Sequence, residues 1–129
     1  MLDYRRDLID QVEWVWKETL AIHRRAPETR LASSLSVIEI FVALYYGGVL
    51  RFNASNPLDE KRDRCIISKG HGSISMYPIL ADLGFFSKSE LQDVCKSGSF
   101  LGGIPDPVIP GYETVNGSLG HGLGVATGI

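Results

Sequence analysis

Apolar residues recur along this chain with two different rhythms. From residue 3 to about 25, Leu8, Val12, Val15, Thr19 and Ile22 follow helical spacing, and Ile9, Trp16 and Leu20 widen the stripe. The pattern predicts one amphipathic helix, closed by Pro27, whose ring cannot continue it. Arg5, Arg6, Asp10, Glu13, Lys17 and Glu18 fall on the opposite face. Their mixed signs read as a solvated surface rather than a binding patch. His23, near the helix end, reads as structural or surface. Residues 28–34 are small and polar and predict a connector. Residues 35–46 are apolar nearly all round, with Ser36 and Glu39 spaced as a capping box and Gly47-Gly48 as the stop, which predicts a short buried helix.

Residues 52–62 read as a surface loop feeding a short apolar run, Cys65, Ile66 and Ile67, which suits a buried strand. A second helix is expected from Ser73 to Leu83, with Pro78 tolerable only in its first turn or two and Gly84 as its end. Ser87 and Glu90 form another capping box, opening a helix through Leu91, Val94 and Cys95 to about Gly98. Between residues 97 and 116 periodicity is lost among glycines and prolines, predicting a long ordered loop of the kind that carries function. Glycines at 117, 120, 122, 124 and 128, with apolar residues between them, predict a tight turn into a final helix.

Composition changes this picture little. The 129 residues are 44% hydrophobic and 22% charged, with a formal net charge of -2. That fits one globular domain and points away from nucleic acid and acidic membrane surfaces. No signal-peptide core opens the chain, and no apolar run reaches spanning length. Two cysteines match neither a disulfide framework nor a metal knuckle. The expected compartment is the cytoplasm. The final residues carry no cap, polar tail or breaker, so a fragment is expected.

Candidate chemistry gathers at two places. Ser68-Lys69-Gly70-His71-Gly72 sits where a strand's carboxyl end meets a helix N-terminus, the ligand-binding position of open α/β sheets. Glycines permit close backbone approach there, and the helix start favours an anion. His71 is a ligand contact or a histidine satisfied by turn backbone. The second place is Asn116-Gly117-Ser118-Leu119-Gly120-His121-Gly122. It matches no standard phosphate loop, and Asn116 stands where a nucleophile elbow needs glycine. Its glycines fit either cofactor contact or, more commonly, close helix packing.

Taken in order, Ser34-Leu35-Ser36…Glu39-Ile40…Ala43-Leu44-Tyr45-Tyr46, Arg62-Asp63-Arg64-Cys65-Ile66-Ile67-Ser68-Lys69-Gly70-His71-Gly72, Gly98-Ser99…Leu101-Gly102-Gly103…Pro105-Asp106, Pro110-Gly111-Tyr112-Glu113 and Gly117-Ser118-Leu119-Gly120-His121-Gly122 resemble the N-terminal part of transketolases. These are thiamine-diphosphate-dependent ketol-transfer enzymes. The resemblance runs from about residue 10 onward and implies a three-layer α/β fold, with a mostly parallel sheet flanked by helices. Residues 1–129 would be the N-terminal portion of the diphosphate-binding domain. It further implies that His71 contacts thiamine diphosphate and that Gly117, Ser118 and Leu119 line the diphosphate and thiazolium region. The ligands for Mg2+ would fall downstream, with no metal ligand in this chain. A companion chain or a homodimer is implied, with a ketose or 2-oxo acid donor and an aldehyde or ketone acceptor.

Two positions depart from the family pattern. Arg30 stands where a substrate-handling histidine is usual, and Ile104 where a second active-site histidine is usual. An arginine is always charged, and isoleucine cannot hydrogen-bond through its side chain. Three readings follow: an enzyme transferring a two-carbon unit between non-standard substrates, with Arg30 contacting a substrate anion; a noncatalytic partner or scaffold; or a small anion-binding module. No turnover is expected of these 129 residues alone.

Overall fold

Where apolar spacing is local, the helices form as that spacing dictates. The computed structural model describes residues 4–129. Helix α1, Tyr4–Arg25, buries Val15, Thr19 and Ile22 along one stripe, and the Thr19 hydroxyl is satisfied by the Val15 carbonyl at 2.7 Å. Glu13 and Lys17 pair across its solvent face. Its expected start at residue 3, and the side chains of Arg5 and Arg6, lie outside the described residues.

Helix α4, Ser73–Asp82, is the hub. Every residue from Ser73 to Ala81 is buried, the Ser73 and Ser75 hydroxyls being satisfied by the Gly103 and Gly72 carbonyls. It packs against α1, α2 (Leu31–Leu35) and α3 (Ile38–Tyr46), and α1 also packs on α2 and α3. Ile38, Phe41, Val42, Ile74, Tyr77, Ile79 and Leu80 form the centre of this core. Each large side chain so buried contributes about 1.5–3 kcal/mol relative to exposure. Gly84, at φ 90°, lets the Phe85 N–H reach back to the Leu80 carbonyl and close α4.

Four expectations are corrected. The stretch read as a connector contains α2. It forms because Ser34 is buried there, its hydroxyl donating to the Arg30 carbonyl at 2.8 Å, and because α2 packs on the turn at residues 70–72. The capping box at Ser36 and Glu39 does not form: Val37 is the N-cap of α3, with no side-chain cap, and the Ser36 hydroxyl is taken up by Lys69 Nζ at 2.8 Å and the Ser33 carbonyl. Helix α3 is buried on one side only, leaving Ile40 exposed. The helix expected from Ser87 tightens to a 3₁₀ turn, Lys88–Gln92, capped by Ser87 Oγ. It ends before Cys95, whose φ is 63°.

The parallel sheet is not realised among the described residues, which contain helices and turns but no strand. Among the described residues, 64–68 have no backbone–backbone hydrogen bond, the last such bond before them being Asp63 N–H to the Arg51 carbonyl. A strand exists through its ladder partners, and none is supplied here. Cys65, Ile66 and Ile67 are accordingly half-buried rather than buried. The long loop after residue 92 is anchored instead by side chains: Leu101 and Ile109 are buried, and the Tyr77 hydroxyl donates to the Gly102 carbonyl. Helix α5, His121–Gly128, follows a tight turn with Gly120 at φ 84°. No helix of the described residues is long and apolar enough to cross a membrane.

Candidate functional site

Local sequence makes the first half of the site. Gly70, His71 and Gly72 form a 3₁₀ turn that runs directly into α4. Gly72 sits so close to α2 that a Cβ there would lie 3.2 Å from the Ser33 carbonyl oxygen. The His71 carbonyl accepts from Ser34 Oγ at 3.4 Å, and the imidazole is half-exposed with no hydrogen-bond partner among the described residues. Its backbone is therefore held while its ring remains available.

Packing supplies the second half. Gly70 has Asn116 against it: a Cβ on Gly70 would drive into the Asn116 carbonyl, well inside van der Waals contact. Gly122 lies against Ser68, its N–H donating to Ser68 Oγ at 3.0 Å, and a Cβ there would fall 2.9 Å from Ser68 Cα. Two glycines, one on each motif, thus bring residues 68–72 and 116–122 into direct contact. Gly124 and Gly128 face open space. The glycine pattern is close packing at one end and idle at the other, while Gly117, Ser118 and Leu119 stand exposed beside the His71 turn's partner, Asn116.

Two further residues enter this neighbourhood. Ser73 Oγ donates to the Gly103 carbonyl at 3.1 Å, tying the loop to the start of α4, and Ile104 Cδ1 comes to 4.0 Å of where a Gly117 Cβ would stand. Arg30 lies exposed at the N-terminal cap of α2, without a side-chain hydrogen bond or ion pair among the described residues. Lys69, bonded to Ser36, places a cation at the turn itself.

The segments leading into the site are fixed by an ion pair. Arg62 Nη2 donates to both Glu113 carboxylate oxygens at 2.9 and 2.8 Å, with the two side chains only 11% and 13% exposed. Arg62 precedes Ser68 and Glu113 precedes Asn116, so one buried contact sets both approaches. Beside it, burial pushes the Cys65 thiol and the Tyr45 and Tyr112 hydroxyls up from their ordinary values.

Sequence places Ser68 and Asn116 within the two candidate motifs but does not show that they join them. A polar residue directly before an exposed glycine turn is the available signal for Asn116, which is 3% exposed. Ser68 gives none, since its role depends on Gly122. Among the described residues no group of three His, Cys, Asp or Glu side chains is placed to hold a metal ion.

Comparison with known proteins gives the following. Residues 23–129 match the family model "Transketolase, thiamine diphosphate binding domain". One subunit of the apulose-4-phosphate transketolase of Phocaeicola vulgatus is 34% identical over 88% of this chain and 40% of its own length. The 6-deoxy-6-sulfo-D-fructose transketolase subunit SqwG of Clostridium sp. (strain MSTE9) is 32% identical over 100% of this chain and 47% of its own. Human transketolase is 35% identical over 75% of this chain and 15% of its own. The structure of transketolase from Leishmania mexicana superposes with a TM-score of 0.87 at 24% identity, covering 94% of this chain and 18% of that one. The chain therefore spans less than half the length of these relatives.

Proposed function

This chain belongs to the transketolase family, through its thiamine diphosphate binding domain, and we propose that it forms the N-terminal portion of that domain in an enzyme transferring a two-carbon ketol or acyloin-type unit. The observation that carries the reading is the contact of the His71 turn with the Asn116 to Gly122 segment through Gly70 and Gly122.

The residues present fit the cofactor. Gly70 lets the Asn116 segment close onto the turn, the His71 ring has no hydrogen-bond partner among the described residues, and Gly117, Ser118 and Leu119 are exposed. His71 would hold the cofactor, and Gly117, Ser118 and Leu119 would line its diphosphate and thiazolium region. When bound, thiamine diphosphate supplies the carbanion chemistry that breaks and forms the bond next to a ketone. The ligands that would hold an accompanying Mg2+ are expected outside these residues.

This chain's own contribution is binding and orientation. Ile104 makes the wall beside Gly117 apolar, and Arg30 offers a planar, permanently charged fork to a substrate anion. Two relatives are named for a phosphate-bearing and a sulfo-bearing sugar, which supports an anionic donor or acceptor here. In the full-length protein, Arg30→Ala should raise KM for an anionic substrate about tenfold or more while leaving cofactor affinity unchanged, because one charged hydrogen-bond partner is removed. Unchanged KM would remove that role.

The subunit names of those relatives favour a companion chain, and residues 64–68 would supply one strand of the family's parallel sheet when neighbours lie alongside. The two free thiols suit a reducing cytoplasm. Ile104 also supports a second reading, a noncatalytic partner, since it offers no hydrogen bond where the family uses histidine.

Calorimetric titration of thiamine diphosphate with magnesium, into this chain alone and then into the chain completed by its companion, tests the reading. Binding in the completed protein, with turnover of ketoses or 2-oxo acids, is the expected result. Binding without turnover selects the partner reading, and a folded protein that binds nothing sinks the cofactor role and leaves a scaffold.

A further inference from the structure

Two hydroxyls from one helix hold the loop that carries Ile104. Ser73 and Tyr77 lie four residues apart on α4 and so share a face. Both are buried, at 2% and 0% exposure. The Ser73 hydroxyl donates to the Gly103 carbonyl at 3.1 Å, and the Tyr77 hydroxyl donates to the Gly102 carbonyl. Among the described residues, 102–105 make no backbone–backbone hydrogen bond, the bonds on either side being Cys95 N–H to the Leu101 carbonyl and Ile109 N–H to the Asp106 carbonyl. Leu101 and Pro105 are buried at the two ends of this span. Burial is non-directional, so it fixes where the span lies without fixing how two successive glycine peptides turn. The two hydroxyls supply that direction.

The next residue is Ile104, 46% exposed, its Cδ1 4.0 Å from where a Gly117 Cβ would stand. We propose that Ser73 and Tyr77 are positioning residues for substrate selection: by fixing the Gly102 and Gly103 peptides they hold Ile104 in place as the apolar wall of the substrate pocket. The proposal rests on the reading of this chain as part of a two-carbon-transfer enzyme. Both hydroxyls act through Ile104. A wall held in this way favours a methyl over a hydroxyl at the same place on a substrate, because the hydroxyl would lose its water there without gaining a partner.

The experiment uses the full-length protein with thiamine diphosphate and magnesium, as wild type, Tyr77→Phe, Ser73→Ala, Ile104→Ala and the double variant Tyr77→Phe with Ile104→Ala. Tyr77→Phe and Ser73→Ala each delete one hydroxyl and no carbon. Isotope-labelled isoleucine δ1 methyls are followed by NMR. The Ile104 signal, identified by its loss in Ile104→Ala, is compared with those of Ile79 and Ile109, both fully buried. Initial rates are measured with hydroxypyruvate, a 2-oxo acid, as donor and with propanal or glycolaldehyde as acceptor, which carry a methyl and a hydroxyl at the same position.

In Tyr77→Phe and Ser73→Ala the Ile104 methyl should shift and broaden while Ile79 and Ile109 stay in place. The propanal to glycolaldehyde ratio of kcat/KM should fall about threefold in each, the size of one modest hydrogen bond, and about tenfold in Ile104→Ala. The double variant should fall no further than Ile104→Ala, since the hydroxyl has no wall left to position.

An unmoved Ile104 methyl in both hydroxyl variants would overturn the proposal, and so would equal movement of Ile79 and Ile109, which marks general loosening. An unchanged acceptor ratio, or a further fall in the double variant, would overturn it as well. If Tyr77→Phe does not fold, Ser73→Ala alone and combined with Ile104→Ala decides by the same readings. A wild type that binds cofactor and turns over neither aldehyde selects the noncatalytic partner reading and removes the role in substrate selection, whatever the methyl signals show.

Discussion

Single glycines in this chain differ in how much their missing Cβ matters, and the difference is measurable. Gly70→Ala would place a methyl against the Asn116 carbonyl, a backbone atom that cannot swing aside. It should destabilise the fold by about 3 kcal/mol, the upper end for overpacking, and weaken cofactor binding. Gly122→Ala, against Ser68 at 2.9 Å, should cost about 1–3 kcal/mol. Gly124→Ala, on the same helix with nothing within 4 Å, should stabilise by about 0.5–1 kcal/mol because alanine loses less backbone freedom on folding. Denaturant titration of the three variants checks the order, and equal effects at 122 and 124 would refute it. From sequence these glycines are indistinguishable. What separates them is whether a neighbour distant in sequence, Asn116 for Gly70 and Ser68 for Gly122, lies against them, which no local pattern reports. His71 is legible as the apex of a glycine turn, but the seating of Asn116 against Gly70 emerges only once the packing is known.

Among the elements, α1 and α4 are readable because their apolar spacing and stops lie within their own residues. Helix α2 is not, since Leu31–Leu35 contains Ala32, Ser33 and Ser34, and its helicity comes from packing on the His71 turn. Ser36 carries a true capping signal that Lys69 overrides by taking its hydroxyl. The connection between elements that matters most is the Arg62–Glu113 pair, 2.8 Å and nearly buried, which joins the approaches to both halves of the site. Glu113→Ala would leave the Arg62 charge without its partner and should cost about 3 kcal/mol or more. Replacing both residues together by apolar ones should cost less than the sum of the single changes. Additive losses in a double-mutant cycle by urea unfolding would show that the pair does not act as a unit.

For the molecule as a whole, stability should depend on alkaline pH. Cys65, Tyr45 and Tyr112 have their titrations pushed upward by burial from ordinary values of 9.0 for the thiol and 10.0 for the hydroxyls. A group raised in the folded state favours folding while it is protonated in both states. That contribution is fully present below the unfolded value and is lost as pH climbs through the folded one. The urea midpoint should therefore stay level from about pH 7 to 8.5 and fall above about pH 9, by linkage to these groups. A midpoint still level at about pH 10.5 would contradict it, given the ordinary thiol and phenol ranges. The sheet, the largest feature expected and not found here, is likewise a property of the whole: Cys65, Ile66 and Ile67 have strand composition, but a ladder needs partners that spacing within one segment cannot supply.

The unbonded backbone of residues 64–68 has one more consequence. An amide that donates to nothing trades its proton with solvent almost as fast as in an unfolded chain, whereas the amides of α4 wait for the core to open. In heavy water this stretch should take up deuterium within seconds while residues 77–82 remain protonated far longer. The same five residues should slow once a strand is laid against them, so their isotope uptake is a clock for assembly of the completed domain.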